Sequence, residues 1–180
     1  MSNRKEEILI VALHLFARDG YEAVSVSQIA GELDMTKGAL YRHYKSKRDI
    51  FDCIVQRMEQ RDGEQAEEYD MPQEEKEKMP EQYEAVSLDD FASSFRKMLT
   101  IEQFRSEEMQ KLYQQYLVAG PASYVKALFE SIGIVNAKDK AARFYAVMHF
   151  YYSLYDGAAD KEKVKVEFVS AIKSLVQDLA

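Results

Sequence analysis

From Ser25 to Arg48 the chain reads SVSQIAGELDMTKGALYRHYKSKR, and this stretch leaves little choice of local structure. Ser25 and Gln28 have the spacing of a capping box, and Val24 and Ile29 that of a hydrophobic staple, so a short helix is expected from Val26. Ile29, Ala30 and Leu33 form its apolar edge. Thr36 offers a second cap, with Met35 and Leu40 again at staple spacing, and opens a helix expected from Lys37 to about Tyr44. Leu40 and Tyr44 share one face and point inward, which leaves Lys37, Gly38, Tyr41 and Arg42 outward. Two helices joined by a tight turn form a helix-turn-helix, whose second helix enters the DNA major groove with its N-terminal residues leading. Met35 to Arg48 holds Lys37, Arg42, Lys45, Lys47 and Arg48 and no acidic residue. A helical hairpin with a solvated basic edge has the same pattern, because this geometry also occurs in proteins that never touch DNA.

A longer run narrows the choice. ILIVALHLFARDGYEAVSV is followed by QIAGELDMTKGALYRHYKSKRDIFDCIV. The order is an apolar helix ending at Phe-Ala-x-x-Gly-Tyr, an Ile-Ala helix, a Lys-Gly-x-Leu-Tyr-x-His-aromatic segment, then Ser-Lys and a fourth apolar helix. From about Glu6 to Val55 this resembles the N-terminal domain of the tetracycline-repressor (TetR) family. Asp34 stands where that family usually has Gly between the two helices. Asp is among the few residues that tolerate a left-handed backbone, so the turn is expected to persist.

The resemblance implies a set of DNA contacts. Lys37, Tyr41, His43 and Lys47 would meet phosphates, and Gly38 would let the helix sit deep in the groove. Arg42 would read bases, since Arg pairs two ways with guanine. Thr36 would cap the helix beside a phosphate. Ser25, Ser27 and Gln28 would touch the backbone, with Ser27 or Gln28 near a base edge. Arg4 and Lys5, near the start of the first helix, are further phosphate candidates. The resemblance also implies a double-stranded, palindromic operator, a homodimer and a small-molecule effector.

The chain has two Thr, seven Gly and three Pro, with no sustained period-two alternation. That predicts an all-α protein of about nine helices. We expect a three-helix DNA-binding domain over 1–47 and a helical regulatory domain over 48–180, for ligand binding and dimerisation. The net charge of −7 looks wrong for a DNA binder, but its distribution is uneven. Residues 1–57 hold nine Lys/Arg against eight Asp/Glu, and residues 58–108 hold six against sixteen. Phosphate binding depends on the local patch, not on the total. No run approaches the ~20 apolar residues of a membrane span, and the single Cys53 suits the cytoplasm. A lone Cys on an apolar helix is expected to be packing, not a redox sensor. No phosphate loop, His-Glu-x-x-His or Cys-x-x-Cys occurs. Neither enzymatic activity, a cofactor nor a metal is therefore expected.

The remainder reads as helices in series. The first is expected over Arg4–Arg18, ended by Gly20, and the fourth from Lys47 to about Glu68. Tyr69–Gln82, with Pro72 and Pro80, reads as a polar loop. Ser87, with Asp90 and a Val86–Phe91 staple, opens a helix. The next spans Glu102–Val118, Gly120–Pro121 breaks the chain, and Pro121 starts a helix ended by Gly133. Asn136 with Asp139 caps a helix that is apolar nearly all round from Ala141 to Tyr155. The last covers about Lys161–Leu179. These final two helices, about 138–158 and 161–179, are the expected dimer interface. Tyr83, Tyr113, Tyr116, Tyr145, His149 and Tyr152 combine apolar bodies with polar tips, and together with Met148 they read as core residues or as the lining of a site for an aromatic or amphipathic effector. The competing function is a helix-turn-helix protein that acts through a protein partner without an effector.

Overall fold

The computed structural model describes residues 3–67 and 87–178, with side chains over 4–61 and 87–178. The expected loop Tyr69–Gln82, Val86 and Tyr83 lie outside the described residues. Every regular element among these residues is helical, so the all-α expectation is borne out. The described chain divides into two compact units, 3–67 with 94–102, and 87–93 with 103–178.

The first unit opens with α1 (Asn3–Asp19), α2 (Val26–Glu32), α3 (Lys37–Leu40) and α4 (Lys47–Glu67). Ile8, Leu9, Ala12, Leu13, Leu15 and Phe16 form the buried stripe of α1. Gly20 (φ +86°) stops that helix in the left-handed region, its N–H bonding Phe16 O at 3.0 Å. Tyr21 then sets its ring against Phe16 and Phe51, with centroids 5.1 Å from each. Ile29, Leu40, Tyr44, Ile50, Phe51 and Ile54 complete the core. Each such side chain contributes roughly 1.5–3 kcal/mol of burial before the cost of ordering it.

Regular helix ends at Leu40, not Tyr44. Arg42 N–H bonds Ala39 O at 3.3 Å and His43 N–H bonds Leu40 O at 2.9 Å. These three-residue steps wind the chain more tightly than an α-helix. They deliver Tyr44 inward, where its hydroxyl donates to Lys5 O on α1 at 3.0 Å.

Helix α5 (Asp90–Glu102) starts in the second unit and contributes residues 94–102 to the first. Its cap is Asp89, which accepts from Ala92 N–H at 2.7 Å, and not Ser87 as the spacing predicted. A carboxylate at this position also suits the positive end of the helix. The helix expected over Glu102–Val118 is interrupted. Ser106 accepts from Met109 N–H at 3.2 Å and starts a new helix, α6 (Glu107–Tyr113).

The second unit continues through a π turn, Gln114–Val118, into α7 (Ala119–Ser131). Gly120–Pro121 was expected to break the chain, but both residues lie within α7. Ala119 N–H reaches back to Gln114 O, and Pro121 sits in the first turn, where a missing amide is tolerated. In an unbroken α-helix the carbonyl of Leu117 would accept from residue 121, which has no N–H. The Tyr145 hydroxyl takes that role, donating to Leu117 O at 2.6 Å. Gly120 is required here, because a Cβ would lie 1.8 Å from Gln115 O. Gly133 (φ +77°) ends α7 as expected, with Gly133 N–H on Glu130 O at 3.2 Å and Ile134 N–H on Phe129 O at 2.9 Å.

Helix α8 (Ala137–Gly157) follows. Asn136 is left-handed (φ 57°, ψ 37°) and its side chain makes no cap bond. The predicted Asn136–Asp139 cap is not formed, because a side-chain cap needs extended backbone at that residue. Helix α9 (Lys161–Gln177) is capped by Asp160, which accepts from Lys163 N–H at 3.0 Å. Val125, Phe129, Phe144, Tyr145, Met148, Tyr155, Val164, Phe168 and Ile172 form the core of this unit. Phe150 and Leu154 on α8, and Val166 and Val176 on α9, remain exposed.

Tyr145→Phe removes the donor from Leu117 O while keeping the ring. It is expected to lower unfolding stability by about 1–3 kcal/mol, the cost of an orphaned buried acceptor. Urea denaturation measures this, and an unchanged midpoint would show that the carbonyl is served by water instead.

Candidate nucleic-acid interface

The geometry of the hairpin is set by its caps. Ser25 Oγ accepts from Gln28 N–H at 3.2 Å, and Gln28 Oε1 accepts from Ser25 N–H at 2.7 Å. At the other end of α2, Asp34 is left-handed (φ 51°). Asp34 N–H bonds Gly31 O at 3.1 Å and Met35 N–H bonds Ala30 O at 3.0 Å. This reciprocal pair is a Schellman closure, which needs a residue at positive φ. Thr36 Oγ1 then accepts from Ala39 N–H at 3.1 Å and starts α3 two residues after the turn. Arg4 fastens the turn from outside. One guanidinium nitrogen donates to Leu33 O and another to Glu7, both at 2.8 Å. That clamp was invisible in the sequence, where Arg4 read as a phosphate ligand.

Ser25, Ser27, Gln28, Thr36, Lys37, Gly38, Tyr41 and Arg42 are all exposed, and His43 and Lys47 are half-buried. The hydroxyls of Ser25 and Thr36 and the carboxamide oxygen of Gln28 are engaged as caps. Lys37 Nζ lies 5.8 Å from the Tyr41 ring centroid. Lys47 turns inward, with Nζ donating to Tyr21 O at 2.7 Å and Glu22 O at 3.3 Å and lying 4.3 Å from the Tyr21 ring centroid. Lys47 therefore holds the corner between α1 and α2 as well as adding positive charge beside α3. Around Gly38 the space is open, and a Cβ there would meet nothing within 4 Å.

Two groups, the buried Tyr44 and the half-buried Cys53, stay protonated. Burial pushes the Tyr44 phenol up, so it remains the donor to Lys5 O. Burial, and then Asp49, pushes the Cys53 thiol up and away from the reactive thiolate.

The residues expected to meet an effector are more scattered. Tyr83 lies outside the described residues. Tyr145 and Met148 are core residues, and Tyr113, Tyr116, His149 and Tyr152 are half-buried. The rings of Tyr145 and His149 are 5.9 Å apart. Tyr152 lies 6.0 Å from Phe168, a ring of the core. An open surface depression of about 330 Å³ is lined by Gln103, Phe104, Arg105, Ser106, Glu107 and Gln110, and so shares none of these residues. No group of metal-ligating side chains occurs among the described residues. No described helix is long and apolar enough to cross a membrane.

A capped α2, a left-handed closure and an exposed α3 define a helix-turn-helix. Residues 8–54 match the family model for bacterial regulatory proteins of the tetR family. A 47-residue segment is 43% identical to the HTH-type transcriptional regulator YerO of Bacillus subtilis, covering 26% of this chain and 16% of that protein. The fold of the whole chain is similar to that of a protein from Saccharomonospora viridis, assigned as a transcriptional regulator and crystallised with choline. The TM-score is 0.69 at 17% identity, over 98% of this chain and 97% of that one. It is also similar to a TetR-family regulator of Pectobacterium atrosepticum, with a TM-score of 0.58 at 16% identity, over 99% and 95% of the two chains. Residues 8–54 are thus similar to the N-terminal domain of the tetR family, and the fold of the whole chain is similar to that of solved TetR-family regulators.

Asp34→Gly removes a side chain from a left-handed position without disturbing the closure. It is expected to raise stability by about 1 kcal/mol, read as a higher urea midpoint. A fall would mean that the Asp34 carboxylate makes a compensating contact.

Proposed function

We propose that the chain is a homodimeric repressor that binds a palindromic operator and is released by a small effector. The observation that carries the DNA-binding reading is Gly38. Glycine within a helix costs about 1 kcal/mol relative to alanine, and nothing in the fold requires it at this position. Its use lies outside the chain, in the close approach of another surface. DNA suits that surface, because Lys37, Tyr41 and Arg42 flank Gly38 on the exposed side of the hairpin.

In this reading Lys37, Tyr41, His43 and the half-buried Lys47 meet phosphates, and Arg42 reads base edges. Ser25, Ser27, Gln28 and Thr36 lie along the DNA backbone. The caps place backbone amides and hydroxyls at the helix starts, where phosphate is favoured. The exposed Phe150, Leu154, Val166 and Val176 support α8 and α9 as the subunit interface. A dimer sets two copies of α3 about 34–36 Å apart on successive major grooves.

The effector reading rests on the half-buried Tyr113, Tyr116, His149 and Tyr152 and on the structural neighbour that holds choline, a small amphipathic cation. Aromatic side chains accept such cations through their negative ring faces. To move the dimer from 1:99 to 99:1 released, the effector needs roughly 5.5 kcal/mol of differential affinity for the two states.

Genomic footprinting of the purified protein tests the reading, and a palindromic site is the expected result. On that site Gly38→Ala is expected to weaken binding at least tenfold, about 1.4 kcal/mol, while leaving or raising thermal stability. Arg42→Ala should keep the fold but lose discrimination worth about 1–3 kcal/mol at one base pair. Equal operator affinity for wild type and both variants would remove α3 from the interface.

A further inference from the structure

The buried polar side chains among the described residues are Ser93, Arg96 and Glu102, all on α5. Glu102 ends that helix and is 1% exposed. Its Oε1 accepts the backbone N–H of Tyr21 at 3.0 Å, 81 positions away in sequence. The same peptide corner is held from its other side by Lys47 Nζ on Tyr21 O at 2.7 Å. Four residues further on, Ser25 caps α2. The Tyr21 corner thus sets where the helix-turn-helix begins, and α5 grips it through one carboxylate. A buried amide needs only an acceptor, and a carboxylate is the most expensive one to desolvate. What a carboxylate adds is reach combined with a strong, directional bond. Directly after Glu102 the chain leaves α5 and runs through residues 103–106 to the Ser106 cap of α6.

We propose that Glu102 is a positioning residue for the DNA reader, coupling the segment 103–106 to the start of α2 through the Tyr21 amide. The proposal rests on the DNA-binding reading above. A ligand or contact that shifts residues 103–106 displaces Glu102 and loosens the Tyr21 corner. The α2–α3 hairpin itself stays intact, because its caps and its Schellman closure lie within residues 25–39.

Coupling between two sites is reciprocal, so operator DNA serves as the probe and no effector is needed. The chain has no Trp, and Phe104 is 88% exposed. Phe104→Trp therefore places a single fluorescent reporter in the segment. Operator DNA from the footprinting is titrated while binding is followed separately by the anisotropy of labelled DNA. The expected result is a change in Trp emission on binding, retained in Glu102→Gln, whose side-chain oxygen still accepts from Tyr21. In Glu102→Met, which fills the space without that acceptor, DNA still binds within about tenfold of the parent affinity but Trp emission no longer responds. A purely structural role would lower stability without separating binding from response.

An equal emission change in Glu102→Met, or none in the parent when DNA is bound, overturns the proposal. A second arm uses no DNA. Lys47→Ala loosens the corner from its other side and is expected to speed amide exchange at residues 103–106, but not when combined with Glu102→Met. If no DNA binds at all, the DNA-binding reading falls and the exchange arm decides the coupling. Unchanged exchange in Lys47→Ala overturns it. Should Glu102→Met not fold, the same decision is read from Lys47→Ala alone and with Glu102→Gln, which is expected to keep the accelerated exchange.

Discussion

A helix of four residues has no stability of its own, because nucleating a helix costs more than so few bonds return. The α3 segment exists only because both its ends are held. Thr36 occupies one end, and Leu40 and Tyr44, buried against α1 and its neighbours, secure the other. The left-handed Asp34 lies in the four residues, 33–36, that join this helix to α2. The rest of the first unit follows from the same need. Arg4 clamps the turn, the Tyr44 hydroxyl ties the end of α3 to α1, and Lys47 pins the corner before α2. Each contact ties a helix to a segment between helices, so the hairpin is held by tertiary bonding and not by helix propensity.

The glycines separate two kinds of reason for one residue. Gly120 is dictated from inside, since the carbonyl of Gln115 leaves no room for a side chain. Gly38 has open space around it, so no neighbour within the chain dictates it. The tyrosines divide similarly. Tyr44 and Tyr145 have hydroxyls committed to carbonyls, whereas Tyr41 keeps a ring at the surface near Lys37. Residue type alone does not distinguish these cases; the surroundings do.

What was legible in the sequence was local. The Ser25 capping box, the Thr36 cap and the stops at Gly20 and Gly133 depend on neighbours a few positions away, and all form as the spacing predicts. Local patterns also misled where two were available. Asp89 displaced Ser87 as a cap, and the Ser106 start lay hidden in what read as one continuous helix. Asn136 had the residue type of a cap but not the backbone for one. The contacts that position the candidate site were illegible for a different reason. The bonds of Arg4 to Leu33, Lys47 to Tyr21 and Glu102 to Tyr21 join residues far apart in the chain, and no spacing rule brings them together. The fold class and the hairpin needed only periodicity and caps, whereas any effector site depends on which of several aromatic residues remain available after packing.

The Tyr145–Leu117 bond restricts the order in which this sequence can drift. While residue 121 is proline, the carbonyl of Leu117 lacks its helical donor, and losing the hydroxyl at 145 strands it. Once residue 121 acquires an amide hydrogen, and the π turn can relax to α, the hydroxyl is no longer needed. The two positions are therefore coupled despite lying on different helices. Relatives of such a chain should pair phenylalanine at 145 with a residue other than proline at 121, a link written by a single missing hydrogen.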